Sequence, residues 1–334
     1  MNKAAPIVAL LLALAFGSCN NDLDLAYYAD PVPVVFGVLC PQDSVHRILI
    51  RRSFICGDSV EYYAKQPDSV LFGTVQVNME VRSDEGSVLE RYNFLPETFG
   101  PRDEGFFASE PNILYAARPT QPVNPLTLGT FEKYTLTAYF PEIDKSIIAE
   151  TWIPPVLRLA SPARMDPFVM DMLVEQTIRF VWQQSQSYNI EMVTVFNYLE
   201  EINYEWIPKS IKHKKTYPHL EKNQYTSREE LSLNGEWFYP MVGGRIKKDP
   251  SVSARKFVSI DFLFFTIAAG AYDNYLYTQY PTDYSESTFS NIINGQGLFT
   301  AYSRLELKGF TLTTASLDTL ISGKDTRDLG FVRW

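Results

Sequence analysis

From Val32 onward the chain is a succession of short β-branched and aromatic runs separated by turn residues, a rhythm that is the signature of antiparallel sheets. Seven runs come before residue 155: 32–39, 45–54, 74–81, 88–94, 112–116, 133–140 and 146–153. Within 45–54, His46, Ile48, Ile50 and Arg52 alternate with Arg47, Leu49 and Arg51, so the two-residue period of a strand puts Ile48 and Ile50 on one face and makes the other basic. His46, near the start of the run, is expected at the surface. Gly86, in the loop Ser83–Ser87, supplies the positive φ that a tight hairpin needs. Gly57 to Phe72 and Pro96 to Pro125 are weakly patterned and read as large loops.

Seven strands is the count of an immunoglobulin-like sandwich. Tyr134, Leu136, Ala138 and Phe140 share one face of the run 133–140, which resembles strand F of immunoglobulin and fibronectin-like modules, whose early tyrosine forms a corner. The pattern stops at Trp152-Ile153-Pro154-Pro155, because proline cannot continue a central ladder. A boundary there divides a sandwich over 31–155 from a second domain over 156–334. The expected fold is therefore mainly β: an N-terminal immunoglobulin-like β-sandwich, then a second β-rich domain with a short helix and a long insert. A hairpin turning at Gln42-Asp43 leaves Cys40 beside the turn and Cys56 about 35 Å away along the strand, whereas bridged Cα atoms lie within about 7 Å. Two free, buried thiols follow from that hairpin; a disulfide would require its absence.

Strands recur at 176–183, 188–198 and 256–267, the last with Val258, Ile260, Phe262 and Phe264 on one face. Between them, 203–245 reads as an insert containing Trp206, the basic run Lys209 to Lys215, His219, Lys222 and Trp237. Lysines offer charge to a phosphate or an anionic sugar, and tryptophan rings stack on sugars. Trp206, Lys212, Lys214, Lys215 and Trp237 are therefore the candidate ligand or partner surface, although such a basic run is more commonly a solvated loop. Tyr272, Leu276 and Tyr280, at four-residue steps, predict a short helix over 271–280. Asn294-Gly295 is a strong tight-turn signal, and Gly297 allows a bulge or a close backbone approach.

Residues 1–18 are of another kind. Lys3, thirteen apolar residues from Ala4 to Phe16, and the small pair Gly17-Ser18 ahead of Cys19 have the layout of a secretory signal. A helix of that length rises about 20 Å, too little to span a hydrocarbon core of about 30 Å. Gly17-Ser18-Cys19 resembles the lipobox of bacterial lipoproteins, which implies cleavage before Cys19 and a diacylglycerol on its sulfur. Residues 19–30 then form a tether, held to the membrane by acyl chains that each contribute about 0.8 kcal/mol per buried methylene. Asn20 stands where inner-membrane retention signals carry aspartate, which by the same resemblance favours the outer membrane, with its face left open.

The segment SNIINGQGLFTAYS at 290–303, the hairpin VVFGVLCPQDSVHRILIRRSF at 34–54 and the Trp152-Ile-Pro-Pro junction together resemble a large uncharacterised lipoprotein family of Bacteroidota. Its members join a lipidated cysteine to an immunoglobulin-like domain and a second β-rich domain, and are often encoded beside TonB-dependent receptors. The resemblance implies a TonB-dependent receptor or another outer-membrane protein as partner, and no established activity. A hydrophobic content of 46% and an aromatic content of 14% exclude a disordered chain, and a net charge of −9 makes nucleic acid a poor partner. GxSxG, HExxH, CxxC and EF-hand patterns are missing, and His46, His213 and His219 are the only imidazoles. The expectation is a non-catalytic accessory lipoprotein of the outer membrane without cofactor or metal, with glycan binding as the alternative. A hydrolase built on paired carboxylates would leave no trace in residue spacing.

Overall fold

A computed structural model describes residues 30–54, 60–83, 85–119, 132–162, 167–185, 188–218, 226–270 and 290–333. Cys19 and its tether up to residue 29, Cys56, His219, Lys222 and the predicted helix over 271–280 lie outside the described residues.

The first part of the chain forms β1 (Pro33–Leu39), β2 (His46–Arg52), the short helices α1 (Val60–Ala64) and α2 (Pro67–Val70), β3 (Gln76–Arg82), β4 (Val88–Phe99), β5 (Asn112–Ala117), β6 (Lys133–Phe140) and β7 (Lys145–Trp152). Two sheets result, β1–β2–β5–β4 and β4–β3–β6–β7, which is the immunoglobulin arrangement. The twelve-residue β4 serves both, pairing with β3 through its first half and with β5 through its second. Val35, Ile48, Ile50 and Tyr115 of one sheet meet Val77, Met79, Leu136 and Ile147 of the other in a single core. Tyr134, Leu136, Ala138 and Phe140 are all buried in it, as their alternation requires. The Tyr134 hydroxyl donates to the Glu132 carboxylate at 3.2 Å, a side-chain version of a tyrosine corner.

Three local expectations are corrected. His46 is not a surface residue: it is 3% exposed, on the same inward face as Ile48 and Ile50, with its ring edge-on to Tyr92 at 5.9 Å. β4 runs through Pro96 because that half of the strand is a sheet edge, where the missing N–H interrupts no ladder. The stretch Gly57 to Phe72 is not all loop, since α1 and α2 lie within it. Cys40 is a buried free thiol beside the β1–β2 turn, donating to the Gln42 side chain at 3.0 Å.

The second part comprises β8 (Leu159–Ser161), β9 (Val169–Met170), β10 (Ile178–Ser185), β11 (Tyr188–Ile202), β12 (Glu205–Tyr217), β13 (Thr226–Leu233), α3 (Gly235–Arg245), β14 (Ala254–Ala268), β15 (Ile292–Ile293), β16 (Gln296–Leu312) and α4 (Thr314–Ser322). The sheet β12–β11–β14–β16 faces the sheet β13–β10–β8. Phe180 lies 4.7 Å from Phe262, and Trp182 lies 6.1 Å from Phe264, ring to ring. α3 adds Phe238 and Val242 to this core, and α4 adds Leu320. Val258 is not on the core face. An extra residue in β14 opposite Asn197 and Tyr198 shifts the parity, so that Phe257 turns inward and Val258 is 41% exposed. Buried Arg255 donates to Glu200 at 2.9 Å and to the carbonyls of Leu329 and Lys247, pinning the C-terminal segment to β14.

The two cores share one strand. β16 pairs parallel with β1 over Gln296–Ala301 and antiparallel with β14 over Tyr302–Phe310, so it leaves the first core and enters the second without a break. β15 pairs with β7, and the tight turn at Asn294-Gly295 sends the chain on as β16 along β1, so the β15–β16 hairpin lines one edge of each sheet of the sandwich. Asn291 clamps the hairpin: its amide oxygen accepts from Phe299 N–H at 2.8 Å, and its amide nitrogen donates to the carbonyls of Phe299 and Glu150. At the Pro154-Pro155 crossing, Ser303 donates to the Pro154 carbonyl at 2.6 Å and Thr266 to that of Pro155 at 2.7 Å.

Gly297 is where β16 meets β1 most closely. Its φ is +121°, and a Cβ there would lie 1.9 Å from the Val35 carbonyl oxygen. Gly297→Ala is expected to cost about 3 kcal/mol or more by adding strain to lost pairing, while Gly100→Ala, in open space, stays within about 0.5 kcal/mol of the parent. Urea unfolding of the protein measures both.

Candidate functional site

The basic run read as a solvated loop is instead β12, thirteen residues paired along their whole length with β11 and, among the described residues, the last strand of its sheet. Strand alternation then divides the candidate surface. Trp206, Lys212 and Lys214 share one face, while His213 and Lys215 point to the other, the side of buried Tyr217. On the first face, Lys256 sits over the Trp206 ring at 4.3 Å and Lys214 pairs with Glu191 at 2.5 Å. On the second, Lys215 lies over Tyr217 at 4.8 Å, and Trp237 of α3 is edge-on to His213 at 5.3 Å and packed against the core. His213 also meets the Arg245 guanidinium at 3.0 Å, and burial together with that charge lowers its pKa. The two tryptophans are thus on opposite sides of the sheet and offer no common platform to a sugar. Lysines along an exposed edge have a direct physical role, since they discourage pairing with the edge of another chain.

The structure gathers a different site on the outer face of the first sheet. β1 turns Val34 and Phe36 outward and β2 turns Leu49 and Arg51 outward, with Val34 opposite Arg51 and Phe36 opposite Leu49. Over this floor rise Val60 of α1, Val70 of α2 and the loop 100–111, which contributes Arg102, Phe106 and Phe107. The groove has a volume of about 640 Å³. Its wall is braced: Ala108 N–H donates to the Ala64 carbonyl at 2.9 Å, Lys65 to that of Gly105, and Arg102 to that of Ala108. Phe106 and Phe107, about half exposed, meet edge to face at 5.3 Å on the rim.

Among the described residues, charge in this apolar groove is unbalanced. Arg51 donates through one terminal nitrogen to the carbonyls of Ile50 and Ile113, while its Nε and other terminal nitrogen are buried without an acceptor. The Nε atoms of Arg52 and Arg102 are in the same condition. Arg52 reaches Glu142 at 3.5 Å, but among the described residues no carboxylate pairs with Arg51 or Arg102. Burial and the neighbouring Arg102 charge push the Arg51 guanidinium down to about 10. Each unmet buried donor costs about 1–3 kcal/mol.

Burial lowers the pKa of His46, while burial and the adjoining Glu90 and Glu132 carboxylates raise those of Tyr92 and Tyr134, to which they are hydrogen-bonded. Among the described residues no group of three or more His, Cys, Asp or Glu is arranged to hold a metal. No helix among them is long and apolar enough to cross a membrane.

No family model matches the chain, and no curated protein does. Among solved structures it is similar to a DUF4785 family protein from Legionella pneumophila, at 9% identity and a TM-score of 0.22, covering 70% of this chain and 52% of that one. It is also similar to the C-terminal globular domain of an oligosaccharyltransferase from Pyrococcus abyssi, at 11% identity and a TM-score of 0.20, covering 85% of this chain and 50% of that one. The chain therefore spans about half the length of each.

Replacing Lys209, Lys212 and Lys215 together by Thr is expected to leave the fold intact, because all three are exposed on β12. The variant should self-associate at concentrations where the parent does not, which light scattering on size-separated protein would measure.

Proposed function

We propose that the chain is a non-catalytic accessory lipoprotein of the outer membrane, tethered through Cys19 and acting as a binding component of an envelope complex. A TonB-dependent receptor or another outer-membrane protein is its partner. The observation that carries this reading is the groove: a braced, preformed apolar concavity with a few convergent polar groups, the form that binding sites take. The Gly17-Ser18-Cys19 signal and the resemblance of 290–303 to the Bacteroidota lipoprotein family supply the address. Tethering confines encounters to the membrane surface, so modest contacts gain from a high effective concentration.

Crosslinking in intact cells, with mass spectrometry of the partners, tests the reading. The parent should be acyl-labelled, fractionate with the outer membrane and crosslink to a membrane receptor. Cys19→Ala should lose the label, the fractionation and the crosslinks. A Cys19→Ala protein that stays acyl-labelled and membrane-bound would contradict the anchor, and a parent that crosslinks to no envelope protein would contradict the accessory role.

A further inference from the structure

Among the described residues, the groove holds more positive charge than the fold neutralises. Arg51 and Arg102 line the same groove, where the Arg102 charge acts on Arg51, and neither has a carboxylate partner among the described residues. Arg51 is anchored by two carbonyls, so it is held beside Arg102 rather than free to swing into solvent. Like charges kept together in a partly desolvated place are costly unless an anion completes the arrangement. The remaining walls are hydrocarbon: Val34, Phe36, Leu49, Phe54, Phe106 and Phe107.

One chemistry satisfies both halves of such a site. We infer that the groove binds a single-chain amphiphile with an anionic head, of the fatty-carboxylate type, its head between Arg51 and Arg102 and its chain against Phe36, Phe106 and Phe107. A carboxylate head offsets the charge of Arg51 and Arg102, which no carboxylate among the described residues does, and interactions of a guanidinium with an ionised acceptor are the strong ones. An alkyl chain covers aromatic surface that is otherwise about half exposed at Phe106 and Phe107. A sugar would leave the apolar walls uncovered, and a neutral alkane would leave the charge of Arg51 and Arg102 unmatched. Arg52 contributes less, because Glu142 and the face of Phe72 already engage it.

This inference rests on the groove being the binding surface of the accessory protein. The experiment is calorimetric titration of the mature chain, with Cys19→Ser to remove the lipid, using dodecanoate below its micelle concentration. Saturable binding at one site is expected, with dodecanol weaker by about tenfold or more because it lacks the charge. Arg51→Gln and Arg102→Gln should each weaken dodecanoate by about tenfold while leaving dodecanol unchanged, and Phe106→Ala should weaken both. Arg91→Gln, at an exposed ion pair with Glu80 on the other sheet, serves as the control and should change nothing.

Thermal unfolding shows whether each variant is folded; should Arg51→Gln not fold, Arg102→Gln and Phe106→Ala, in the surface loop, decide the matter. Equal binding of dodecanol and dodecanoate, no saturable binding, or binding only to phosphatidylglycerol vesicles would overturn the assignment. Loss of dodecanoate binding with membrane fractionation and receptor crosslinks intact would refute the ligand alone. Loss of the crosslinks with dodecanoate binding intact would refute the accessory role alone.

Discussion

The structure depends on one strand that belongs to two cores. β16 gives its first residues to the sandwich, parallel to β1, and its later residues to the second sheet, antiparallel to β14. A parallel neighbour for β1 cannot come from a short hairpin and must arrive from far away in sequence, here about 260 residues later. Closure of the first domain therefore waits for the end of the chain. The approach is tight enough that only glycine fits at 297, and the Asn291 side chain takes the place of a backbone neighbour for Phe299. Buried hydroxyls of Thr266 and Ser303 tie the proline carbonyls at the crossing, where a flexible linker would otherwise be expected.

The same strand bears on the groove. β1 lies between β16 and β2, so its inward residues Val35 and Leu39 build the core while its outward residues Val34 and Phe36 build the groove floor. Gln42, in the turn that follows β1, accepts from the Cys40 thiol and donates to the Arg304 carbonyl, fixing the end of the β1–β2 hairpin to the second half of β16. A floor set by such long-range contacts is rigid, and rigidity lowers the ordering cost of binding.

Period-2 alternation made much of this legible. Tyr134, Leu136, Ala138 and Phe140 read as one buried face and are one. Parity failed at Val258, where an extra residue exchanges the two faces and no local pattern announces it. His46 misled because a polar residue on an apolar face looks like a strand end until its stacking partner, Tyr92, is known. Pro96 reads as a stop, but an edge strand tolerates it. The basic run at 209–215 was visible, yet its meaning changed once it proved to be an edge strand with its two tryptophan neighbours on opposite sides. The groove is assembled from β1, β2, two short helices and a loop, so spacing could not show it. One signal was present: Val34-Val-Phe-Gly-Val-Leu39 is apolar on both faces, and a strand of that kind has something covering its outer side.

Native-state hydrogen exchange of the protein, followed by mass spectrometry across denaturant, tests most directly whether β16 makes the two cores one cooperative body. The amides of β1, of β14 and of both halves of β16 should exchange only through a common opening with a single free energy and a single denaturant dependence. Exchange of β1 and β2 at a distinctly lower free energy than β11 and β14, with the first half of β16 following β1, would show two independent domains and contradict the account.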